Sequence, residues 1–331
     1  MTTPQPTQTP GVRVPERIIP APTTISPEAR QVLLLPNPYG GDSEPDAADK
    51  AAWEIHTRER NAGFTQLLET HTAPNRPRAL HERKLSHSTV YEIEPKTLAA
   101  QHAGKAILYV HGGGFIMGGG IAAAYAAFSM AALTGLRTFS VDYRMPPGFP
   151  FPAGLDDTVE AYRFVLDRCG ATNVAVYGPS AGAALAASCL LKARDLGLPL
   201  PKACVLHSPE ADLTESGDSF ETNLGVDSVL KRLTQSIALY ANGHDLRDPY
   251  LSPLFGDFTK GFPPTLLSTG TRDLFLSNTV LMHRALKRAG ISASLSVWEA
   301  MGHGGFYGMA PEDRELMQEH VAFILSHLQG P

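Results

Sequence analysis

Past about residue 100, apolar residues fall in short unbroken runs, each followed by a longer stretch with helical spacing. The runs read as strands at Ala106–Val110, Thr138–Asp142, Val174–Tyr177, Ala203–His207, Thr265–Ser268 and Ala293–Trp298, with an outer strand at Thr89–Ile93. Between them the pattern predicts helices at Ile121–Leu133, Leu155–Asp167, Ala181–Arg194, Ser277–Arg288 and Pro311–Leu328. Largely apolar strands of four to six residues alternating with longer helices imply an α/β fold: a mostly parallel sheet covered on both faces. After Glu210 the alternation stops for about fifty residues, too long for a plain connection, so an inserted substructure or lid is expected there.

The first part of the chain has a different pattern. Prolines stand at 4, 6, 10, 15, 20, 22, 27, 36 and 38, and each fixes φ and removes a donor, so residues 1–40 read as an extended, partly disordered arm. Asp46–Leu68 reads as a polar-faced helix carrying Trp53, Ile55, Phe64, Leu67 and Leu68. The chain contains no internal repeat. Its 331 residues suit either two domains or one α/β domain with insertions.

A net charge of −5 with no Lys/Arg block gives no electrostatic footprint for nucleic acid or an anionic membrane. The longest apolar run, Ile121–Leu133, is shorter than the ~20 residues a bilayer needs, and the first residues lack the apolar stretch of a secretory signal. A cytoplasmic protein is the expectation. Cys169, Cys189 and Cys204 have no metal-like spacing and read as small hydrophobes.

Three short motifs carry chemistry. Gly178-Pro179-Ser180-Ala181-Gly182 joins a strand to an Ala-rich helix, the context of a nucleophile elbow in which small flanking residues let the serine stand free at the sheet edge. His111-Gly112-Gly113-Gly114-Phe115 follows another strand, and bare glycine N–H groups there suit an oxyanion hole. A phosphate-cradling loop is the competing use, but neither a following Lys-Ser/Thr nor a dinucleotide fingerprint is present. His303, in Met301-Gly302-His303-Gly304-Gly305, and Asp273, in Gly270-Thr271-Arg272-Asp273, each lie just past a strand. Adjacent parallel strands bring both to one sheet edge beside Ser180, where a base and its orienting acid are needed. Asp212 also follows a strand and competes for the acid's role; Asp273 is preferred because its strand directly precedes the one leading to His303. The two glycine-flanked histidines are each alone, so no metal-ligand spacing is present.

With Ser, Asp and His in this order, the chain resembles the hormone-sensitive-lipase-like (family IV) carboxylesterases from about Gly104 to the last helix, and especially the bacterial lactone and acetyl hydrolases. Shared landmarks are Val141-Asp142-Tyr143-Arg144 with the prolines after it, Asp156 and Asp157, Ser208-Pro209 with Asp212, and Ser252-Pro253-Leu254. The resemblance implies one α/β-hydrolase domain over residues 1–331, with a helical cap formed by about 46–68 and 212–248. It implies a triad of Ser180, Asp273 and His303, and oxyanion donors at Gly113, Gly114 and Ala181. His111 would brace the glycine loop and Asp212 would anchor the start of the cap. No cofactor or metal is implied; a small ester or lactone is the partner, and a homodimer through the last strand is possible.

Within the cap, Phe220, Leu224, Leu230 and Leu239 are candidates for pocket walls or for packing between helices. Two features depart from the pattern. Pro179 and Ala183 replace the Asp and last Gly of the usual G-D-S-A-G-G elbow, which bears on substrate scope more than mechanism. Glu210 stands where an apolar residue is common, either as a solvated charge or as a pocket determinant.

The resulting expectation is a serine carboxylesterase or lactonase acting on short- to medium-chain esters through an acyl-enzyme on Ser180. A non-catalytic small-molecule receptor on the same scaffold, which would have lost a triad member, and a peptidase, which would carry a large extra domain, are the rivals.

Overall fold

Eight strands form one sheet in a computed structural model that describes residues 11–36, 43–98 and 100–329. In chain order the elements are α1 (Pro27–Val32), α2 (Lys50–Thr72), β1 (Ala79–Lys84), β2 (Thr89–Glu94), β3 (Ala106–Val110), α3 (Ile121–Thr134), β4 (Arg137–Asp142), α4 (Ala153–Cys169) and β5 (Val174–Pro179). They continue with α5 (Ala181–Asp195), β6 (Ala203–His207), α6 (Ser219–Thr222), α7 (Thr234–Ala241), β7 (Thr265–Gly270), α8 (Leu276–Arg288), β8 (Ala293–Trp298) and α9 (Pro311–Leu328). The strand order is β1-β2-β4-β3-β5-β6-β7-β8, antiparallel at β1, β2 and β4 and parallel from there on.

The period-2 geometry of the strands divides the core into two layers. Leu108, Val110 and Val176 face α4, α5 and α8, packing with Leu155, Tyr162 and Met282. Ile107, Tyr109 and Tyr177 face the other way onto α3 and α9, against Phe128 and Ile324. Both faces are covered, which is why the central strands could be read as continuous apolar runs.

Three expectations are corrected or completed. Strand β1 falls in a stretch that gave no strand signal: its last four residues, His81–Lys84, are exposed, as suits a charged edge strand. The proline-rich start is not extended throughout, because Ser26 caps α1 through Ala29 N–H (3.1 Å) with Pro27 in its first turn. Helix α1 then docks: Ser26 N–H and Oγ–H donate to Glu312 on α9 (2.7 and 2.8 Å), and Ala29 and Val32 pack with Met301 and Phe306. Residues 11–20 of the arm are exposed; Pro4, Pro6, Pro10 and Pro38 lie outside the described residues. The stretch from Ala211 to Pro264 contains only α6, α7 and short 3₁₀ turns, so most of it is irregular. It meets the segment leading into α2 where Ala47 N–H donates to Gln235 (2.8 Å), and where Leu239 packs with Trp53 and Ile116. No helix among the described residues is long and apolar enough to cross a membrane.

Candidate active site

The turn between β5 and α5 is set by steric exclusion. Ser180 has φ +56°, a strained value for a side-chain-bearing residue, and it persists because the flanking glycines leave no slack. A Cβ on Gly178 would lie 2.4 Å from the Gly182 carbonyl oxygen, and one on Gly182 would lie 2.1 Å from the Val110 oxygen. The Ser180 N–H is tied to the His207 carbonyl (2.8 Å), so the hydroxyl projects past the carboxyl ends of the strands. Pro179 ends β5 in register with His207, and Ala183 is fully buried inside α5.

The loops after β7 and β8 supply the facing groups. His303 Nε2 lies 2.9 Å from Ser180 Oγ, and its Nδ1 lies 3.2 Å from Asp273 Oδ1. Asp273 is fully buried, and its carboxylate also accepts from Thr269 Oγ1 (2.8 Å) and Phe275 N–H (2.9 Å). Burial alone would raise its pKa, but the facing His303 charge and the hydrogen bonds it receives outweigh that and hold it at about 2. For His303 burial works against protonation, yet the Asp273 carboxylate prevails and the imidazole is raised above its ordinary value. Such a serine–imidazole–carboxylate line can move a proton off the hydroxyl and stabilise the cation that results.

Asp212 lies outside this line. Its carboxylate closes a turn onto Thr214 N–H (2.9 Å), Thr214 Oγ1 (2.6 Å) and Ser216 Oγ (3.0 Å).

The glycine loop after β3 borders the same space. Among the described residues no acceptor takes the N–H of Gly113, Gly114 or Ala181, and Ala181 opens α5, where the helix field favours negative charge. His111 is buried and stacks on Tyr143 (centroids 4.1 Å apart), with Nδ1 2.8 Å from the Gly112 oxygen. Burial holds its pKa down at about 4, and a Cβ on Gly118 would lie 2.5 Å from its ring. The imidazole therefore fills space behind the loop.

A cavity of about 340 Å³ opens onto Ser180, His303 and Gly112–Gly114. Its opposite wall comes from Phe64, Leu67 and Leu68 of α2 and from Val229, Leu230 and Leu233 ahead of α7. Of the four suggested wall residues only Leu230 lines it. Phe220 packs with Leu274 and Phe275, Leu239 with Trp53, and Leu224 is 44% exposed. Glu210 is not a solvated charge: it is 1% exposed, its carboxyl is pushed well above the usual range by burial, and it does not line the cavity. Among the described residues no three His, Cys, Asp or Glu side chains gather as a metal site.

Sequence reasoning missed Asp227. It is 4% exposed and accepts from four backbone N–H groups, including that of His303. Its only sequence signal is an acid two residues before an apolar pair, a spacing common to many surface turns.

The chain is similar to known proteins in sequence and fold. A family model described as alpha/beta hydrolase fold matches residues 107–307. An acetyl-hydrolase of Streptomyces hygroscopicus is 33% identical over 245 residues, 72% of this chain and 80% of that protein. The crystal structure of an esterase superposes with TM-score 0.88 at 33% identity, covering 96% of this chain and 99% of the other. A hormone-sensitive lipase from a metagenome library gives TM-score 0.78 at 28% identity over 91% of this chain and 98% of that one.

Proposed function

The chain belongs to the α/β-hydrolase fold family, in its hormone-sensitive-lipase-like (family IV) branch, and from that premise we propose that it is a serine carboxylesterase using an acyl-enzyme on Ser180. The observation that carries this reading is the hydrogen-bonded line Ser180–His303–Asp273 at the floor of the cavity. His303, neutral with its proton on Nδ1 toward Asp273, takes the Ser180 proton through Nε2 as the oxygen attacks the ester carbonyl. The oxyanion is held by the N–H groups of Gly113, Gly114 and Ala181. His303 then protonates the leaving alcohol, and a water activated by the same base releases the acid.

The cavity is small and apolar-walled, which favours short- to medium-chain esters; attack on a lactone follows the same course with the alcohol left tethered. Residues Asp46–Leu68 and Asp212–Asp248 act as its cap. Three free cysteines, two of them buried, fit a reducing, cytoplasmic setting, and the half-exposed edge strand β8 is the surface for a homodimer.

The test is turnover of p-nitrophenyl acetate, butyrate and decanoate, a lactone series and the matching anilides by the wild type and by Ser180→Ala. The expected result is ester turnover favouring the shorter chains, little anilide turnover, and no ester turnover above background by a folded Ser180→Ala. Near-wild-type activity in that variant would overturn the assignment.

A further inference from the structure

We propose that Asp227 is a positioning residue that aligns His303 with Asp273 and supplies a second negative charge to the imidazolium formed during turnover; this rests on the triad reading above. The carboxylate sits where three segments meet. Its Oδ2 accepts from Leu274 N–H (2.7 Å), next to Asp273, and from the N–H of His303 itself (3.3 Å). Its Oδ1 accepts from Val229 N–H (2.8 Å) and Leu230 N–H (3.1 Å), the residues that wall the cavity. One buried side chain therefore fixes the acid loop, the base loop and the substrate wall relative to each other.

The base loop needs such an anchor. Gly302, Gly304 and Gly305 surround His303, and Gly304 and Gly305 both have positive φ, so the local backbone has few conformational limits of its own. Asp313 holds the far end of the loop at Phe306 N–H (2.8 Å) and Ala310 N–H (3.1 Å), beyond the histidine. Asn223 adds to the clamp from the same segment as Asp227, donating to the carbonyls of Asp273 (2.8 Å) and Thr271 (3.2 Å).

Charge gives Asp227 a role beyond packing. Among the described residues, titratable groups acting on His303 include Asp273 from the loop after β7, Asp227 from the segment before α7 and His207 from the end of β6. The cavity it borders is also lined by Glu44, His56, Arg60 and Lys231. His207 is buried and depressed to about 4, so it is neutral at working pH, and the Asp273 and Asp227 carboxylates both favour the cation. Burial and the nearby Asp273 raise the Asp227 carboxyl, while His303 and the N–H donors to it act in the opposite direction. The balance leaves the carboxyl raised above its ordinary value, with burial the largest cause, and the His303 cation and the N–H donors are what favour its ionised form.

The test compares Asp227→Asn and Asp227→Glu with wild type, using the pH profile of kcat/KM for a soluble butyrate ester, kcat and KM, with active sites counted by a serine-directed phosphonate. The base must be neutral, so activity falls as pH drops through the His303 pKa. Removing a neighbouring negative charge lowers that pKa and moves the acid limb to lower pH. Asp227→Asn is expected to lose on the order of 10²-fold in kcat with KM within about threefold, and to shift the acid limb down by about one pH unit. Asp227→Glu should keep the limb at its wild-type position. Should Asp227→Asn fail to fold, Asp227→Ser is read in the same way.

An unmoved acid limb in a folded neutral variant overturns the proposal. So do two neutral variants that cannot fold, which would assign Asp227 to folding alone. Ser180→Ala run in parallel separates the two claims: turnover there removes the triad reading, whereas a silent Ser180→Ala beside an unaffected Asp227→Asn removes only this inference.

Discussion

Helix α5, whose N-cap Ser180 faces the cavity, and helix α2, which walls it, are built on opposite terms. Helix α5 buries twelve of its fifteen residues, and the turn that starts it cannot accept a single added carbon. Helix α2 buries only Trp53 and Thr72 of its twenty-three residues, and its apolar Phe64, Leu67 and Leu68 line the cavity instead of the core. Ser180 thus rests on close-packed sheet and helix, while the far wall of the cavity rests on a lightly anchored cover. Chemistry that depends on tenths of an ångström needs the first kind of support, and a wall that sets which ester fits can be altered without cost to the fold.

The two acids that follow strands provide the largest test of this division. Asp273→Asn, at the packed edge, should lower kcat on the order of 10⁴-fold with folding intact, because the imidazole loses both its orienting partner and the charge that supports its cation. Asp212→Asn, where the cover begins, should change kcat by less than about tenfold and act mainly on stability through the Thr214 and Ser216 bonds. Steady-state kinetics with circular dichroism on both variants decides it, and a reversed order would remove Asp273 from the triad.

The same glycine-to-alanine change should have opposite signs in the two regions. Gly182→Ala drives a Cβ into the Val110 and His111 carbonyls and should cost on the order of 3 kcal/mol or more, a fall in Tm of about 8 °C or greater with loss of activity. A wild-type melting curve would show that the elbow has slack.

How much of this could be read from the sequence follows the same line. The central parallel strands were legible because burial on both faces leaves nearly continuous apolar runs, and the meeting of Ser180, Asp273 and His303 was legible because each stands just past a strand at the same sheet edge. Strand β1 was not, since exposed His81, Glu82, Arg83 and Lys84 carry no burial pattern. Helix α1 was hidden by counting Pro27 as part of an extended arm, although Ser26-Pro27-Glu28 is itself a helix-start signal. Which residues wall the cavity stayed open in the sequence because an apolar residue facing a cavity looks there like one facing a core. Asp227 was missed because its partners are backbone N–H groups from distant loops, which leave no mark on residue type.

Within the cover, Phe64→Ala should enlarge the cavity and improve kcat/KM for decanoate relative to acetate esters on the order of tenfold, with Tm little changed. An unchanged chain-length preference would move the acyl site away from α2. The smallest effect should come from Gly63→Ala, where an added Cβ meets nothing within 4 Å and the helix gains about 0.4–1 kcal/mol.

The central claim, that Ser180 carries the acyl group, is tested most directly by trapping the covalent enzyme. A serine-directed phosphonate, or acid quench during turnover of a slow ester, followed by intact mass and peptide mapping, reads the modified residue. One adduct per chain, on the peptide containing Gly178-Pro179-Ser180-Ala181-Gly182 and absent in Ser180→Ala, is the result this account predicts. An adduct on another residue, or full ester turnover by a protein whose Ser180 stays unmodified, would contradict it.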